Sequence, residues 1–407
     1  MIEKSLKLPC GAIIKNRIAK SAMSENMADA GHAPGFKFTN LYSTWARGGA
    51  GLVITGNVML DLNALGEPHN VVIEKDHECL EELHAWAKAG TQNDTHLWMQ
   101  INHPGKQSPK FLSNTPMAPS AIAYESHMKN MFNKPRALTA QEIGEIVERF
   151  AYTSEKAKSA GFTGVQIHGA HGYLVSQFLS PRHNQRTDQW GGSLENRMKF
   201  VIDVYQAIRV AVGPNFPIGI KLNSADFQKG GFSEEDSMQV VKTLSELGMD
   251  LIEISGGTYE APKMMEGAKK KDSTVKREAY FLEYCEKVKK LIDTPLLLTG
   301  GFRSKEGMEE ALATGACEMI GLARSLAIDP DFPNKLISNE DVKSQVRPLT
   351  SGIKAVDKII PIEITWYTEQ LHRMGKGKDP VPNASVIMSV LRTVFGIGSA
   401  MLRRTRA

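Results

Sequence analysis

Short apolar segments recur along most of the chain, and each is followed by a stretch whose apolar residues repeat at helical spacing. Eight such segments can be distinguished, over residues 17–23, 51–57, 95–101, 163–168, 216–223, 250–255, 295–300 and 317–323. Most are near-continuous apolar runs, which are typical of strands in a parallel sheet covered on both faces. The pattern therefore predicts parallel strands that alternate with helices.

The intervening helices are clearest over residues 140–160, 193–212, 233–248 and 304–314. Several begin with a Ser or Thr that can cap the helix, followed by acidic residues in the first turn, as at Thr139 and Glu142. Eight strand–helix units in one uninterrupted chain are typical of a (β/α)8 barrel. We therefore predict an α/β protein with a TIM barrel over residues 1–340 and a C-terminal helical extension over residues 341–407.

Composition and charge narrow the function only slightly. Hydrophobic residues make up 42% of the chain and charged residues 23%, which is ordinary for a globular protein with a large core. The net charge of +4 is too small to predict nucleic-acid binding. The four cysteines include no C-x-x-C pair, which argues against a zinc site or iron–sulfur cluster held by four thiolates. The first residues lack an apolar core of signal-peptide length, so a cytoplasmic location is expected.

The richest candidate chemistry follows the fourth apolar segment. In (β/α)8 barrels, active groups lie on the loops after the C-terminal ends of the strands. Here His168, His171 and Tyr173 occur within six residues, among small residues that leave room for a ligand. Two imidazoles and a phenol can bind an oxygen atom and deliver a proton. The alternative is that these groups only satisfy one another in a buried loop.

Other strand ends suggest a cofactor. Small residues follow the last two strands, where barrels commonly hold a phosphate on backbone N–H groups. Polar and basic residues on strands three to five, such as Gln100 and Lys221, suit the edge of a planar heterocycle. No pair of carboxylates converges at these ends, which argues against glycoside hydrolysis.

The stretch 163–197, TGVQIHGAHGYLVSQFLSPRHNQRTDQWGGSLENR, closely resembles the old yellow enzyme family of FMN-dependent ene-reductases. In that family a His, a second His or Asn three residues later, and a Tyr two residues beyond bind the substrate and donate a proton. The matching residues here are His168, His171 and Tyr173. The resemblance covers about residues 1–340, and it implies FMN as cofactor, NADH or NADPH as hydride donor and a small unsaturated substrate.

The resemblance also implies residues that bind the flavin. Ala22 and Met23 would lie along it through their backbone, and the Ser24 hydroxyl would approach O4. Gly56 would contact the ring, Gln100 would donate to the pyrimidine edge, and Lys221 would lie beside N1 and O2, where a cation stabilises the reduced ring. The phosphate would be held by Gly301, Ala323 and Arg324. Taken singly, such residues can also be turn glycines, satisfied core amides or surface ion pairs.

We therefore predict an FMN-dependent NAD(P)H oxidoreductase that reduces activated C=C bonds by a two-step, ping-pong hydride transfer. Another reaction on the same scaffold, such as dienoyl-CoA reduction or amine demethylation, is the main alternative. More remote alternatives are a non-catalytic binding barrel and a metal-dependent hydrolase using His103, His168 and His171. No metal is predicted.

Two loops and the tail add further expectations. Residues 103–138 lack a clear helix, and their apolar residues suggest a lid over one face of the cofactor, or else a disordered insertion: Met117, Tyr124, Met128, Met131 and Phe132. The lysines at 269–271 predict a solvated loop or an attraction for a phosphate-bearing nicotinamide cofactor.

The C-terminal residues 385–402 are mostly apolar and are followed by several arginines. We expect this segment to pack on the barrel or on a second subunit of a homo-oligomer. The alternative is that residues 385–407 contact a membrane surface, since the segment is too short and too charged to span a bilayer.

Overall fold

The computed structural model describes residues 1–77, 79–257, 279–353, 357, 362–389 and 391–392. Eight parallel strands form a closed barrel, because the first strand pairs with both the second and the eighth. In chain order the strands are β1 Ile18–Lys20, β2 Leu52–Met59, β3 His96–Asn102, β4 Gly164–Gly169, β5 Ile218–Asn223, β6 Leu251–Ser255, β7 Leu296–Thr299 and β8 Met319–Leu322. The predicted (β/α)8 barrel is confirmed.

Helices connect successive strands on the outside of the barrel. The main ones are Phe36–Arg47, Leu80–Gly90, Ala140–Ser159, Leu194–Val212, Glu234–Glu246, Leu282–Val288 and Lys305–Ala313, with shorter helices Leu174–Leu179, Arg324–Ile328 and Phe332–Ile337. The three predicted caps form as expected: the side chains of Thr139, Ser233 and Ser304 each accept a hydrogen bond from a backbone N–H in the first turn. Ser193 caps its helix in the same way.

In β4 and β6, apolar and polar residues alternate between the two faces of the strand. Val165 and Ile167 of β4 and Ile252 and Ile254 of β6 pack in the core beneath the helices, whereas the residues between them face the barrel interior. The near-continuous apolar runs predicted from the sequence are present in β7 and β8, whereas β4 and β6 alternate. A barrel strand faces helices on one side and the interior on the other, and near the C-terminal ends of the strands the interior is polar.

The interior near the N-terminal ends of the strands is apolar. We call the residues that fill it the lower layer: Ala19, Leu52, Ile54, Trp98, Leu251, Leu297 and Met319. A hairpin of two short strands, Leu6–Lys7 and Ile13–Ile14, closes this end with Leu6, Leu8 and Ile14. Glycines make room for the large indole: a Cβ at Gly164 would lie 2.5 Å from Trp98 Nε1, and one at Gly219 would lie 2.7 Å from Trp98 Cζ3.

The long loop after β3 is ordered by its own contacts. It contains 3₁₀ turns at Gly105–Gln107 and Ser126–Asn130 and short strands Met117–Ala118 and Arg136–Ala137. Tyr124, Met128 and Phe132 form a separate apolar cluster. None of the five apolar residues proposed for a lid lines the central cavity described below, so the expectation of a lid over the cofactor is not supported. The lysine run at 269–271 lies outside the described residues.

The first part of the C-terminal extension packs on the barrel. Helix Ile362–Gly375 buries Trp366, Leu371 and Met374. The His372 side chain donates from Nε2 to the Glu25 carbonyl (2.8 Å), and Asn40 Nδ2 donates to the Gly375 carbonyl (3.1 Å). The extension is therefore continuous with the barrel structure over these residues.

The segment that follows makes different contacts. The side chains of Ser389 and Arg392 bind Glu369 of the preceding helix, whereas those of Ile387, Met388 and Leu391 are exposed. Residues 393–407 lie outside the described part, so membrane contact through 385–407 stays a prediction. Of the helices described, none combines the length and the hydropathy needed to cross a membrane.

Candidate active site

A cavity of ≈ 320 Å³ opens at the C-terminal ends of the strands. It brings together every predicted site residue except Gly56. The predicted residues that line it are Ala22, Met23, Ser24, Gln100, His168, His171, Tyr173, Lys221, Gly301, Ala323 and Arg324. These residues come from six of the eight strand ends, so the barrel collects groups that are far apart in sequence.

The three rings after β4 form a compact group. The ring of His168 lies 5.2 Å from that of His171 and 4.7 Å from that of Tyr173, centroid to centroid, with steep interplanar angles. His171 adopts a left-handed backbone (φ +60°), which turns the chain sharply after the strand. This turn lets His171 Nε2 reach the Ser255 hydroxyl at 2.8 Å, on the neighbouring side of the barrel.

Both imidazoles are held neutral. Burial, reinforced by the positive charge of Lys221, lowers the pKa of His171 to about 3. Burial also lowers the pKa of His168 well below its ordinary value, with further contributions from His171 and Lys221. The Ala170 N–H donates to Nδ1 of His168 (3.3 Å), so in the neutral tautomer Nε2 carries the ring proton. His168 is therefore a neutral N–H donor at neutral pH.

Below the rings, polar side chains cross the barrel interior. We call this group the polar layer: Gln100, Gln166, Lys221, Glu253 and Thr299. The fully buried Glu253 lies at its centre, with Oε1 2.9 Å from Lys221 Nζ and 2.7 Å from Thr299 Oγ1. Gln166 Nε2 donates to Glu253 Oε2 (2.8 Å).

Glu253 belongs to this buried group but was not predicted, although the sequence contains a signal for it. Glu253 lies between Ile252 and Ile254 in an otherwise apolar strand that is predicted to be covered on both faces. Its charge would therefore be buried. Such a residue requires a buried partner. The partner, Lys221, is its neighbour in register on β5, and only the strand pairing identifies it.

Gly56 occupies a different place from the one predicted. It does not line the cavity, and its N–H donates to Glu25 Oε1 (2.8 Å). A Cβ at this position would lie 2.1 Å from Glu25 Oε2 and 2.4 Å from the Met23 carbonyl oxygen. Glycine is therefore needed here for close packing beneath the segment that carries Met23 and Ser24.

The opposite end of the cavity carries glycines and arginine. Gly300 and Gly301 have φ values of +121° and +100°, which favour glycine and turn the backbone after β7. Arg324 lines this end and forms an ion pair with Glu363 (Nη1 to Oε2, 2.6 Å). The ion pair considered as an alternative is therefore present, and Arg324 also lines the cavity.

Two further parts of the wall were not predicted. The C-terminal helix contributes Glu363, Ile364, Tyr367 and Thr368, and no local sequence signal connects this helix to the barrel opening. Glu67 also lines the cavity and accepts a hydrogen bond from the Ser24 hydroxyl. Burial raises the pKa of Glu67.

The residues present suit a flavin mononucleotide. Lys221 and Gln100 supply polar groups for the pyrimidine edge, small residues leave space for a planar ring, and the glycine and arginine end suits an anionic group. Among the residues described, no three His, Cys, Asp or Glu side chains are placed to hold a metal ion.

Comparisons with known proteins point the same way. Residues 9–343 match the NADH:flavin oxidoreductase / NADH oxidase family. The chain is 38% identical over 391 residues to the NADH-dependent flavin oxidoreductase iliE of Hypocrea jecorina, which covers 90% of this chain and 94% of that protein. It is 31% identical over 372 residues to the cinnamate reductase of Clostridium sporogenes, covering 83% of this chain and 52% of that protein.

A solved structure, the old yellow enzyme homologue from Zymomonas mobilis, has a TM-score of 0.72 to this chain at 24% identity. The match covers 85% of this chain and 94% of that one. At 24% identity this structural similarity supports the fold alone.

Proposed function

The chain belongs to the NADH:flavin oxidoreductase / NADH oxidase family, and from this premise we propose that it reduces the activated C=C bond of small α,β-unsaturated carbonyl or nitro compounds. Family membership makes it an FMN-dependent oxidoreductase that uses NADH or NADPH. The relative named cinnamate reductase is in keeping with an unsaturated acid or carbonyl compound as substrate class. When bound, FMN would supply the hydride chemistry between the nicotinamide and the β-carbon of the substrate.

The observation that carries this proposal is the group of three rings beside the cavity. His168 and His171 are neutral, so they can donate N–H hydrogen bonds to the oxygen of the substrate without leaving a buried positive charge. These bonds strengthen as negative charge develops on that oxygen. The buried Tyr173 hydroxyl, next to His168, then donates the proton to the α-carbon.

The other predicted residues would hold the cofactor. Lys221 and Gln100 would bind the pyrimidine edge, and Ala22 and Met23 would border the ring. The Ser24 hydroxyl would approach O4 after turning away from Glu67, to which it donates in this structure. Gly301, Ala323 and Arg324 would hold the phosphate, with Glu363 fixing the direction of the Arg324 guanidinium.

Substitution of Tyr173 by Phe tests the proposed function. We expect reduction of an activated alkene such as 2-cyclohexenone to slow by about 10²- to 10⁴-fold, the usual contribution of a general acid. Reduction of the enzyme-bound flavin by NADH should stay within about twofold, because that step needs no proton from Tyr173. Rapid-mixing absorbance measurements separate the two half-reactions.

Tyr367→Phe is the matched control, since this tyrosine also lines the cavity but lies on the C-terminal helix. It should change neither rate by more than a few-fold. Equal losses in both half-reactions of Tyr173→Phe would contradict the assigned role.

A further inference from the structure

A chain of hydrogen bonds runs from Glu253 to the cavity. Gln166 Nε2 donates to Glu253 Oε2 (2.8 Å), and Gln100 Nε2 donates to Gln166 Oε1 (2.7 Å). The three residues lie on β6, β4 and β3, and each is at most 1% exposed. Gln100, the last of them, lines the cavity.

The carboxylate determines which way both amides face. An ionised carboxylate only accepts hydrogen bonds, so Gln166 must turn its NH₂ group towards Glu253. Its carbonyl then faces Gln100, which must in turn use its own NH₂ group for that contact. Among the described residues, none donates a hydrogen bond to the side-chain oxygen Oε1 of Gln100. This oxygen is therefore left for a ligand in the cavity.

The surroundings of Glu253 keep it ionised. Burial alone would raise the pKa of this carboxyl, but the charge of Lys221 and hydrogen bonds from Lys221, Thr299 and Gln166 bring the pKa below its ordinary value. A neutral side chain at position 253 would lose this acceptor-only character, and it would no longer require the amides to face this way.

We propose that Glu253 is a positioning residue that, through Gln166, makes Gln100 present its carbonyl oxygen to the imide N3–H of the flavin. This inference rests on the proposed placement of the pyrimidine edge beside Gln100 and Lys221. That edge offers an N–H between two carbonyl oxygens, so a carbonyl acceptor flanked by donors is its complement. The family resemblance implied that Gln100 donates to this edge, and the inference instead assigns its side-chain oxygen as an acceptor.

Substitution of Glu253 by Gln should reverse the direction of this chain of hydrogen bonds. The new amide can keep its oxygen towards Lys221 and Thr299 and donate from its nitrogen to Gln166. Gln166 would then turn its NH₂ group towards Gln100, and Gln100 would present NH₂ to N3–H, donor against donor. We expect FMN affinity, measured by titrating FMN into the flavin-free protein, to fall by about 10- to 100-fold.

A second change should restore the original direction. In the double variant E253Q/Q166E, a carboxylate at position 166 accepts from both neighbours, so Gln100 again presents its carbonyl. We expect FMN affinity within about threefold of the unsubstituted protein. A merely structural role for Glu253 predicts no such rescue. Trp98→Leu, which changes a buried side chain of the lower layer on the same strand as Gln100 but none of these hydrogen bonds, is the matched control and should retain the affinity.

The N3–H proton of the bound flavin provides a second readout, independent of affinity. With ¹⁵N-labelled FMN bound to the unsubstituted protein, the N3–H proton should be hydrogen-bonded and protected from exchange, and in Glu253→Gln it should exchange faster. An N3–H that exchanges freely in the unsubstituted protein would overturn the inference, as would unchanged FMN affinity in Glu253→Gln or failure of the folded double variant to regain affinity. Each of these results leaves the Tyr173→Phe test of alkene reduction standing.

Discussion

The lower layer and the polar layer of the barrel use the same strands at positions two residues apart, yet they are built differently. On β3, Trp98 and Gln100 are successive residues that face the barrel interior, and on β6 the same holds for Leu251 and Glu253. The lower layer is held by close packing against a large indole, without directed bonds. The polar layer is held by hydrogen bonds with defined donors and acceptors.

This difference separates stability from ligand recognition within one barrel. Packing energy depends on volume and contact, so a change in the lower layer should cost stability with little effect on which ligand binds. Hydrogen bonds have direction, so a change in the polar layer should alter ligand binding through the orientation of its amides.

Trp98→Ala should have the largest effect on stability. Removal of the fully buried indole leaves a cavity, and we expect the free energy of unfolding to fall by about 3–5 kcal/mol. Urea unfolding of the flavin-free protein, followed by circular dichroism, measures this loss. FMN affinity of the folded protein should change far less than it does in Gln100→Ala, its counterpart on the same strand. A greater loss of FMN affinity in Trp98→Ala would break the comparison between the layers.

Acid should destabilise the folded protein through the imidazoles above the polar layer, because the lower layer contains no titratable side chain. His171 has a pKa of about 3 when folded and about 6.5 when unfolded, so below pH 6.5 the unfolded chain takes up a proton that the folded protein does not. Stability is therefore lost as the pH falls from 6.5 towards 3, on the order of 2 kcal/mol from this histidine by pH 5.

Urea unfolding at several pH values tests this expectation. The dependence on pH should become shallower in His171→Gln, whereas Trp98→Ala should shift the whole curve downward without changing its slope. Equal slopes in His171→Gln and the unsubstituted protein would show that burial of this imidazole has no such effect.

Gly219→Ala should have a smaller effect on stability than Trp98→Ala. The added methyl group would lie 2.7 Å from the Trp98 ring and 3.0 Å from the Leu251 carbonyl oxygen, so we expect a loss of about 1–3 kcal/mol. In a Trp98→Leu background the ring contact is absent, and the cost of the same substitution should be lower. Additive effects in this double-mutant cycle would contradict the proposed packing.

The barrel could be predicted from sequence because its signals are local. Eight apolar segments, the capping residues before the helices and the His–His–Tyr group each occupy a short stretch of chain. The C-terminal wall could not be predicted in this way. Helix Ile362–Gly375 reaches the cavity through contacts with residues more than three hundred positions earlier, as in the bond from His372 to Glu25, and its own pattern indicates only an amphipathic helix.

The sequence by itself determined the order of strands and helices and the presence of two imidazoles and a phenol at one strand end, because these depend on neighbours along the chain. Only the tertiary structure decided that Glu253 orients Gln166 and Gln100, that Gly56 serves packing, and that Arg324 pairs with Glu363. Each of these depends on strand register and on the closure of the barrel, which bring together side chains whose separation along the chain carries no information about their contact.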